Sequence, residues 1–346
     1  MEGKGQKAQG TGEGQVLVFA PNWLGDAVLA LPAIADVRRA FGGARLAVAA
    51  RRSVAGVFRL VADVDDVIPL QSDARWWRRS AVRSDVELLR PFDTAILFPN
   101  SFQSAWLVWR AGIAERWGYR TDARSPLLTR AVRRTRGGHQ AEYYQRLTSA
   151  LGIPAGAAPP SIDVSEEARA AARGLLAARG HEPGSMVVVL APGAAYGKAK
   201  QWIPAHVATL IATLEREQSA TCVLVGSAAD RATGAEIQRA VASRRLIDLI
   251  GHTTLDQLAG VLAVCDACVC NDSGAMHLAA AVGARVVATF GPTNEHATRP
   301  LPRPGRTAEV LVNEVWCRPC MLRECPIDHR CMAALAPARV HEAITR

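Results

Sequence analysis

The sequence predicts two doubly wound α/β domains in tandem. Three observations predict this. Short apolar runs alternate with segments whose apolar residues recur at helical spacing. A stretch rich in Pro, Ala and Gly, IPAGAAPPSIDV, interrupts the alternation near its middle. The same alternation then starts again. A strand-helix alternation implies a mostly parallel sheet covered by helices.

The elements follow in order. Residues 1–14, MEGKGQKAQGTGEG, are polar and Gly-rich and read as a disordered tail without the apolar core of a signal peptide. QVLVFAP is a strand, NWLGD a loop, and AVLALPAIADVRRAF a helix. ARLAVAA, DDVIPL and FDTAILFPN are strands, with the helix VAGVFRLV after the first and SFQSAWLVWRAGI after the last. RWGY is a further strand, and HQAEYYQRLTSALG closes the first domain, 15–153. The linker is 154–163. The second domain, 164–346, opens with SEEARAAARGLLAARG, capped by Ser165 with acids in its first turn. MVVVLAPG, TCVLVGS, LIDLIGH, ACVCND and ARVVATFGP are its strands, separated by helices. Open sheets of this kind bind ligands at the carboxyl ends of their strands, so a cleft between the domains is the expected active site.

Composition narrows the partner. The chain has 346 residues, 49% of them apolar, and a net charge of +9. That balance favours an anionic partner: nucleic acid, phosphorylated metabolite or acidic membrane face. Thirteen arginines and five acids lie between Arg75 and Arg136, interleaved with Trp76, Trp77, Trp106, Trp109 and Trp117. This is either a plain Arg-rich surface or a face for a phosphorylated or membrane-embedded acceptor. No RNP-like or KH-like motif is present, so nucleic acid is not expected as a partner. VLVFAPNWLGDAVLALPAIA has the length of a membrane span, but Pro21, Asn22, Gly25 and Asp26 interrupt its middle. The expected location is cytoplasmic, where structural disulfides are disfavoured.

Strand-to-helix junctions hold the candidate chemistry. NDSGAMHLAAAVG places Asp272, Ser273 and Gly274 at a helix start, where unpaired N–H groups and the helix dipole attract phosphate. Asp272 is either the N-cap or a ligand for a hydroxyl, and His277 either a phosphate donor or a core histidine. Lys198 and Lys200 lie in a Gly/Ala loop, where a lysine can neutralise a diphosphate; no GxxxxGK[ST] is present. Gly226 and Ser227 form a third strand-end loop before Asp230. Three such loops in one domain favour a nucleotide diphosphate. In the first domain, Asp26 is either an N-cap or a general base. Cys317, Cys320, Cys325 and Cys331 form C-x2-C-x4-C-x5-C, a Cys-rich segment 317–331 that could hold a structural zinc, pair as disulfides or remain thiols.

Four stretches together resemble one family: PNWLGDAVLALPAI, PGAAYGKAKQW, NDSGAMHLAAAVGARVVATFGPTNEHATRP and CRPCMLRECPIDHRCM. They resemble, in order from about residue 16 to 340, the lipopolysaccharide heptosyltransferases of glycosyltransferase family 9. The PNWLGD form is that of the heptosyltransferase II branch. The resemblance implies a GT-B fold, two Rossmann-like domains facing a central cleft, with acceptor on the first and nucleotide sugar on the second. It implies transfer of L-glycero-D-manno-heptose from ADP-heptose to the first heptose of heptosyl-Kdo2-lipid A, with inversion. Alternatives are heptosyltransferase I or III with another core acceptor, or a GT-B sugar-nucleotide epimerase. By resemblance, Asp26 is the base. Lys200, Asp272, Ser273, Gly274 and His277 hold the donor, with Gly226 and Ser227 beside them, and Asn22, Trp23 and His139 face the acceptor. No cofactor is required, magnesium stimulation stays open, and the chain is expected to be peripheral at the cytoplasmic face of the inner membrane.

Overall fold

The computed structural model describes residues 14–72, 79–135, 137–241 and 243–346. Residues 1–13 of the expected tail, and Arg75, Trp76, Trp77, Arg78 and Arg136 of the arginine and tryptophan stretch, lie outside them. The chain divides into two units, Met1–Pro160 and Ser161–Arg346.

The first unit is built on six strands: β1 (Gln15–Phe19), β2 (Arg45–Arg51), β3 (Asp66–Leu70), β4 (Thr94–Leu97), β5 (Glu115–Tyr119) and β6 (Arg130–Val132). They pair in the order β3-β2-β1-β4-β5-β6, parallel throughout. The central strands are apolar along their length because helices cover both faces of a parallel sheet. Leu17, Ala47, Ala95 and Leu97 are buried in a core that also takes Leu107 and Val108. The strand order reverses between β1 and β4. The connections that leave them therefore run to opposite faces, and the residues that follow, 20–26 and 98–101, sit where such sheets open a ligand crevice.

The helix read over AVLALPAIADVRRAF is two helices, Leu24–Leu29 and Leu31–Ala40. Pro32 causes the break: it has no N–H to donate, and its ring crowds the carbonyl four residues back. The helix Arg79–Leu89 was not legible in the sequence. Its inward face is Val82, Asp85, Val86 and Leu89, so a carboxylate interrupts the apolar stripe. Asp85 is buried because it accepts from the backbone N–H groups of Gln71 and Ser72, at 2.8 Å each.

The second unit repeats the plan with β7 (Val187–Ala191), β8 (Thr221–Leu224), β9 (Leu246–Asp248), β10 (Ala267–Asn271), β11 (Val286–Phe290) and β12 (Ala308–Val312). Its order, β12-β11-β10-β7-β8-β9, is the same topology, again parallel. Strands β6 and β12 are short edge strands with no fully buried run, and the sequence did not reveal them. The terminal helix Pro337–Thr345 adds Val340 and Ile344 to a core of Val188, Leu190, Trp202, Leu210 and Ile211. Among the described residues no helix is long and apolar enough to cross a membrane.

One cation lies wholly inside the first unit. Arg124 is 0% exposed. It donates to the carbonyls of Tyr119 at 2.9 Å, Ser101 at 3.3 Å and Pro99, and to Ser104 Oγ at 3.1 Å. Burial pushes its guanidinium down to about 10. Gly118 makes room for it: a Cβ there would meet Arg124 at 3.1 Å. Arg124→Met removes the donors and strands the buried carbonyls. We expect a loss of about 3 kcal/mol in chemical denaturation; a change below about 0.5 kcal/mol would show that these carbonyls find other donors.

Candidate active site

In the first unit the turn after β1 delivers Asn22, Trp23 and Asp26 to one cavity of about 460 Å³. Pro99, Asn100 and Ser101, after β4, form part of its wall, and Gln140, Tyr143 and Tyr144 another part. Trp23, more than half exposed, takes the N-cap position of Leu24–Leu29. Asp26 is therefore the third helical residue and not the N-cap. Its Oδ1 accepts from Gln140 Nε2 at 3.0 Å and from Tyr144 OH at 3.1 Å. Burial, reinforced by the Asp26 charge, pushes the Tyr144 phenol well above its ordinary value, so it stays a donor. His139 is buried and does not line this cavity. Its Nδ1 accepts from Ala141 N at 3.2 Å and caps the helix Gln140–Ala150, which carries Gln140 and Tyr144.

In the second unit the loops after β7 and β10 meet. Lys200 Nζ donates to Asp272 Oδ2 at 2.6 Å, with both side chains largely buried. Thr293 Oγ1 donates to the same oxygen at 2.6 Å. Lys200 also sits 4.8 Å over the ring of Tyr196. An ammonium has three donors, so pairing with Asp272 orients Lys200 without exhausting it. Asp272 is thus neither the N-cap nor turned to solvent. Ser273 holds the N-cap position of Gly274–Val282 and makes no side-chain cap bond; its Oγ is buried without a hydrogen-bond partner. His277 is buried one turn into that helix. Gly226 and Ser227 follow β8. Ser227 N and Oγ both donate to Asp230 Oδ2 at 2.8 Å, which fixes that loop by a capping box.

Sequence reasoning gave no role to Asn271, which ties this site together. Its Oδ1 accepts from Trp202 N at 2.9 Å and Thr289 Oγ1 at 3.0 Å, and its Nδ2 donates to Pro192 O at 2.7 Å. It joins β10, β11, the end of β7 and the Lys200 turn. A polar residue at the end of an apolar strand was the available signal, since a buried amide has to find partners.

The Cys-rich segment braces the Lys200 turn. Ala199 N donates to Arg323 O at 2.9 Å, Tyr196 OH to Met321 O at 2.7 Å, and His329 Nε2 contacts Ala199 O at 2.7 Å. Arg318 donates to the carbonyls of Gly291 and Thr293 and pairs with Glu295 at 2.8 Å. The four cysteines, which the sequence leaves open as zinc ligands, disulfides or thiols, form no disulfide. Among the described residues no three His, Cys, Asp or Glu side chains are grouped so as to hold a metal ion. Hydrogen bonds and packing hold the segment. Burial, with the neighbouring Cys317 and Cys325, raises the Cys331 thiol. Burial likewise pushes Cys222 up to about 12 and holds Cys265 well above its ordinary value, so these are packing residues.

Residues 85–330 match the model of the family described as glycosyltransferase family 9 (heptosyltransferase). The chain is 30% identical over 311 residues to lipopolysaccharide heptosyltransferase 2 of Escherichia coli (strain K12), covering 86% of this chain and 88% of that protein. It is 29% identical to lipooligosaccharide heptosyltransferase 2 of Haemophilus ducreyi, covering 83% and 86%. The solved structure of E. coli ADP-heptose lps heptosyltransferase II superposes with a TM-score of 0.81 at 28% identity, covering 96% of this chain and 97% of that one.

Gly197 tests the brace. A Cβ there would lie 2.4 Å from Arg323 O, so Gly197→Ala has to push the Cys-rich segment off the Lys200 turn. Chemical denaturation should show a loss of about 1–3 kcal/mol. Unchanged stability would mean that the segment gives way at this contact without cost.

Proposed function

This chain belongs to glycosyltransferase family 9, the heptosyltransferases, and from that premise we propose that it moves L-glycero-D-manno-heptose from ADP-heptose to the first heptose of the lipopolysaccharide inner core. The architecture is that of a GT-B glycosyltransferase, with two Rossmann-like units. The observation that carries the reaction type is Asp26, a carboxylate on the wall of a cavity in the first unit. A hydroxyl of the acceptor gives its proton to Asp26 as its oxygen attacks the anomeric carbon. The bond from that carbon to the ADP oxygen breaks, and the configuration inverts.

The diphosphate gains charge as it leaves. Lys200 and the N–H groups at the start of Gly274–Val282 are the positive partners in the second unit. With these in place the step requires no metal, and turnover is expected to survive EDTA. The acceptor carries phosphates and Kdo carboxylates, which suits the cavity's Arg134. The arginines of the first unit, with exposed Phe102 and Trp109 on one helix, suit peripheral contact with an anionic leaflet at the cytoplasmic face of the inner membrane.

The first test is ADP release by the purified protein, given ADP-heptose and either Kdo2-lipid A or heptosyl-Kdo2-lipid A. Release only with the heptosylated acceptor is expected. Release with bare Kdo2-lipid A would move the assignment to first-heptose transfer, and release without any acceptor would point to a hydrolase or epimerase. Asp26→Asn should lower turnover by about 10²–10⁴-fold while sparing ADP-heptose binding; retained turnover removes Asp26 as the base. Lys200→Ala should weaken ADP binding by about tenfold to a hundredfold, and equal affinity would take Lys200 out of the site.

A further inference from the structure

We propose that Tyr144 and Gln140 are positioning residues that orient the Asp26 carboxylate and set the pH at which it accepts a proton. The inference rests on Asp26 being the base.

Three contacts form a closed triangle. Gln140 Nε2 and Tyr144 OH both donate to Asp26 Oδ1, at 3.0 and 3.1 Å, and Gln140 Nε2 lies 3.2 Å from Tyr144 OH. Residues 140 and 144 are one helical turn apart and share a face, so one helix delivers both donors to one oxygen. That helix is fixed at its start by His139 and at Tyr144 by packing. The ring of Tyr144 is 3% exposed and lies 5.3 Å from that of Phe98, which follows β4. A carboxylate gripped at one oxygen by two donors on a rigid helix has its plane fixed, as general-base geometry demands. Donors to a carboxylate also favour its charged form. The transferred proton goes to the carboxylate, and both donors keep theirs.

Other titratable and charged groups also lie near Asp26. The cavity adds Tyr143 and Arg134. The helix Gln140–Ala150 also carries Glu142 and Arg146, which pair with each other at 3.2 Å. On Leu31–Ala40, Asp36 pairs with Arg39 and Arg38 with Asp65. On Arg52–Arg59, Arg52 and Arg59 are exposed to solvent.

The test is the pH profile of kcat/KM for ADP release with the heptosylated acceptor, in wild type, Tyr144→Phe, Gln140→Leu and Asp26→Asn. Tyr144→Phe keeps the ring against Phe98, and melting curves report whether each variant is folded. A hydrogen bond to a charged group corresponds to about one pKa unit. Each of the two variants should therefore move the acidic limb up by about one pH unit, with KM for ADP-heptose unchanged. Acidic limbs coincident with wild type in both, alongside an inactive Asp26→Asn, overturn the positioning role and leave the base standing. An Asp26→Asn protein with the wild-type rate and limb overturns the base, and this inference with it.

Discussion

The carboxylate of Asp272 is the constraint on which the second unit's site depends. It sits at the end of β10, nearly without exposure, and takes donors from Lys200 and Thr293. A buried carboxylate with no partner is costly, so the loops bearing those donors are drawn to it. Lys200 is held the same way: its ammonium donates to Asp272 and lies over the Tyr196 ring. A lysine held in place in this way would lose little freedom on binding an anion. The neighbouring Asn271 does the corresponding work on the backbone, tying Pro192 and Trp202 to β10.

Each unit repeats one topological rule with different chemistry. In both, strand order reverses beside the first strand, between β1 and β4 and between β7 and β10. In both, the segments that follow those two strands carry the residues at issue: Asp26 and Asn100 in one, Lys200 and Asp272 in the other. Parallel strands place every carboxyl end on the same edge, and at the switch point helices leave to opposite faces. Side chains from far-apart segments are thereby brought together. Lys200 and Asp272 are 72 residues apart, Asp26 and Gln140 114.

The fold was legible because its signal is local. Apolar runs such as VLVF and VVVLA and helical spacing such as that of HQAEYYQRLTSALG mark the elements without knowledge of the whole. What escaped was weakly apolar or polar inside. The helix Arg79–Leu89 hides a buried aspartate, and β6 and β12 are edge strands. The site shows the same division. Asp26, Lys200 and Asp272 could be picked out because each stands at a junction between strand and helix. Their partners could not: Tyr144 and Gln140 lie in an ordinary amphipathic helix, and only tertiary packing turns them toward Asp26. His139 reads as an acceptor residue in the sequence, and in the structure its ring nitrogen caps a helix. In the sequence an N-cap histidine and a binding histidine look alike.

The Cys-rich segment makes the distinction between motif and mechanism sharpest. Its spacing suggests a metal, and its fixed points include residues other than the cysteines. Arg318 binds the carbonyls of Gly291 and Thr293, and Met332 packs so close to Gly291 that a Cβ there would lie 2.8 Å from its Cγ. Arg323 and His329 bind the backbone of Ala199. The segment thus grips the loop of Lys200 and the loop of Thr293, two of the donors to Asp272. Neither loop has a helix or strand of its own at the critical residue beyond a single short turn, Lys198–Lys200. A loop without regular structure needs external hydrogen bonds to hold one conformation, and here a distant piece of chain provides them. The arginine, the histidine and the backbone carbonyls supply these bonds, so the physical role of the segment is to make two loops rigid around one buried charge.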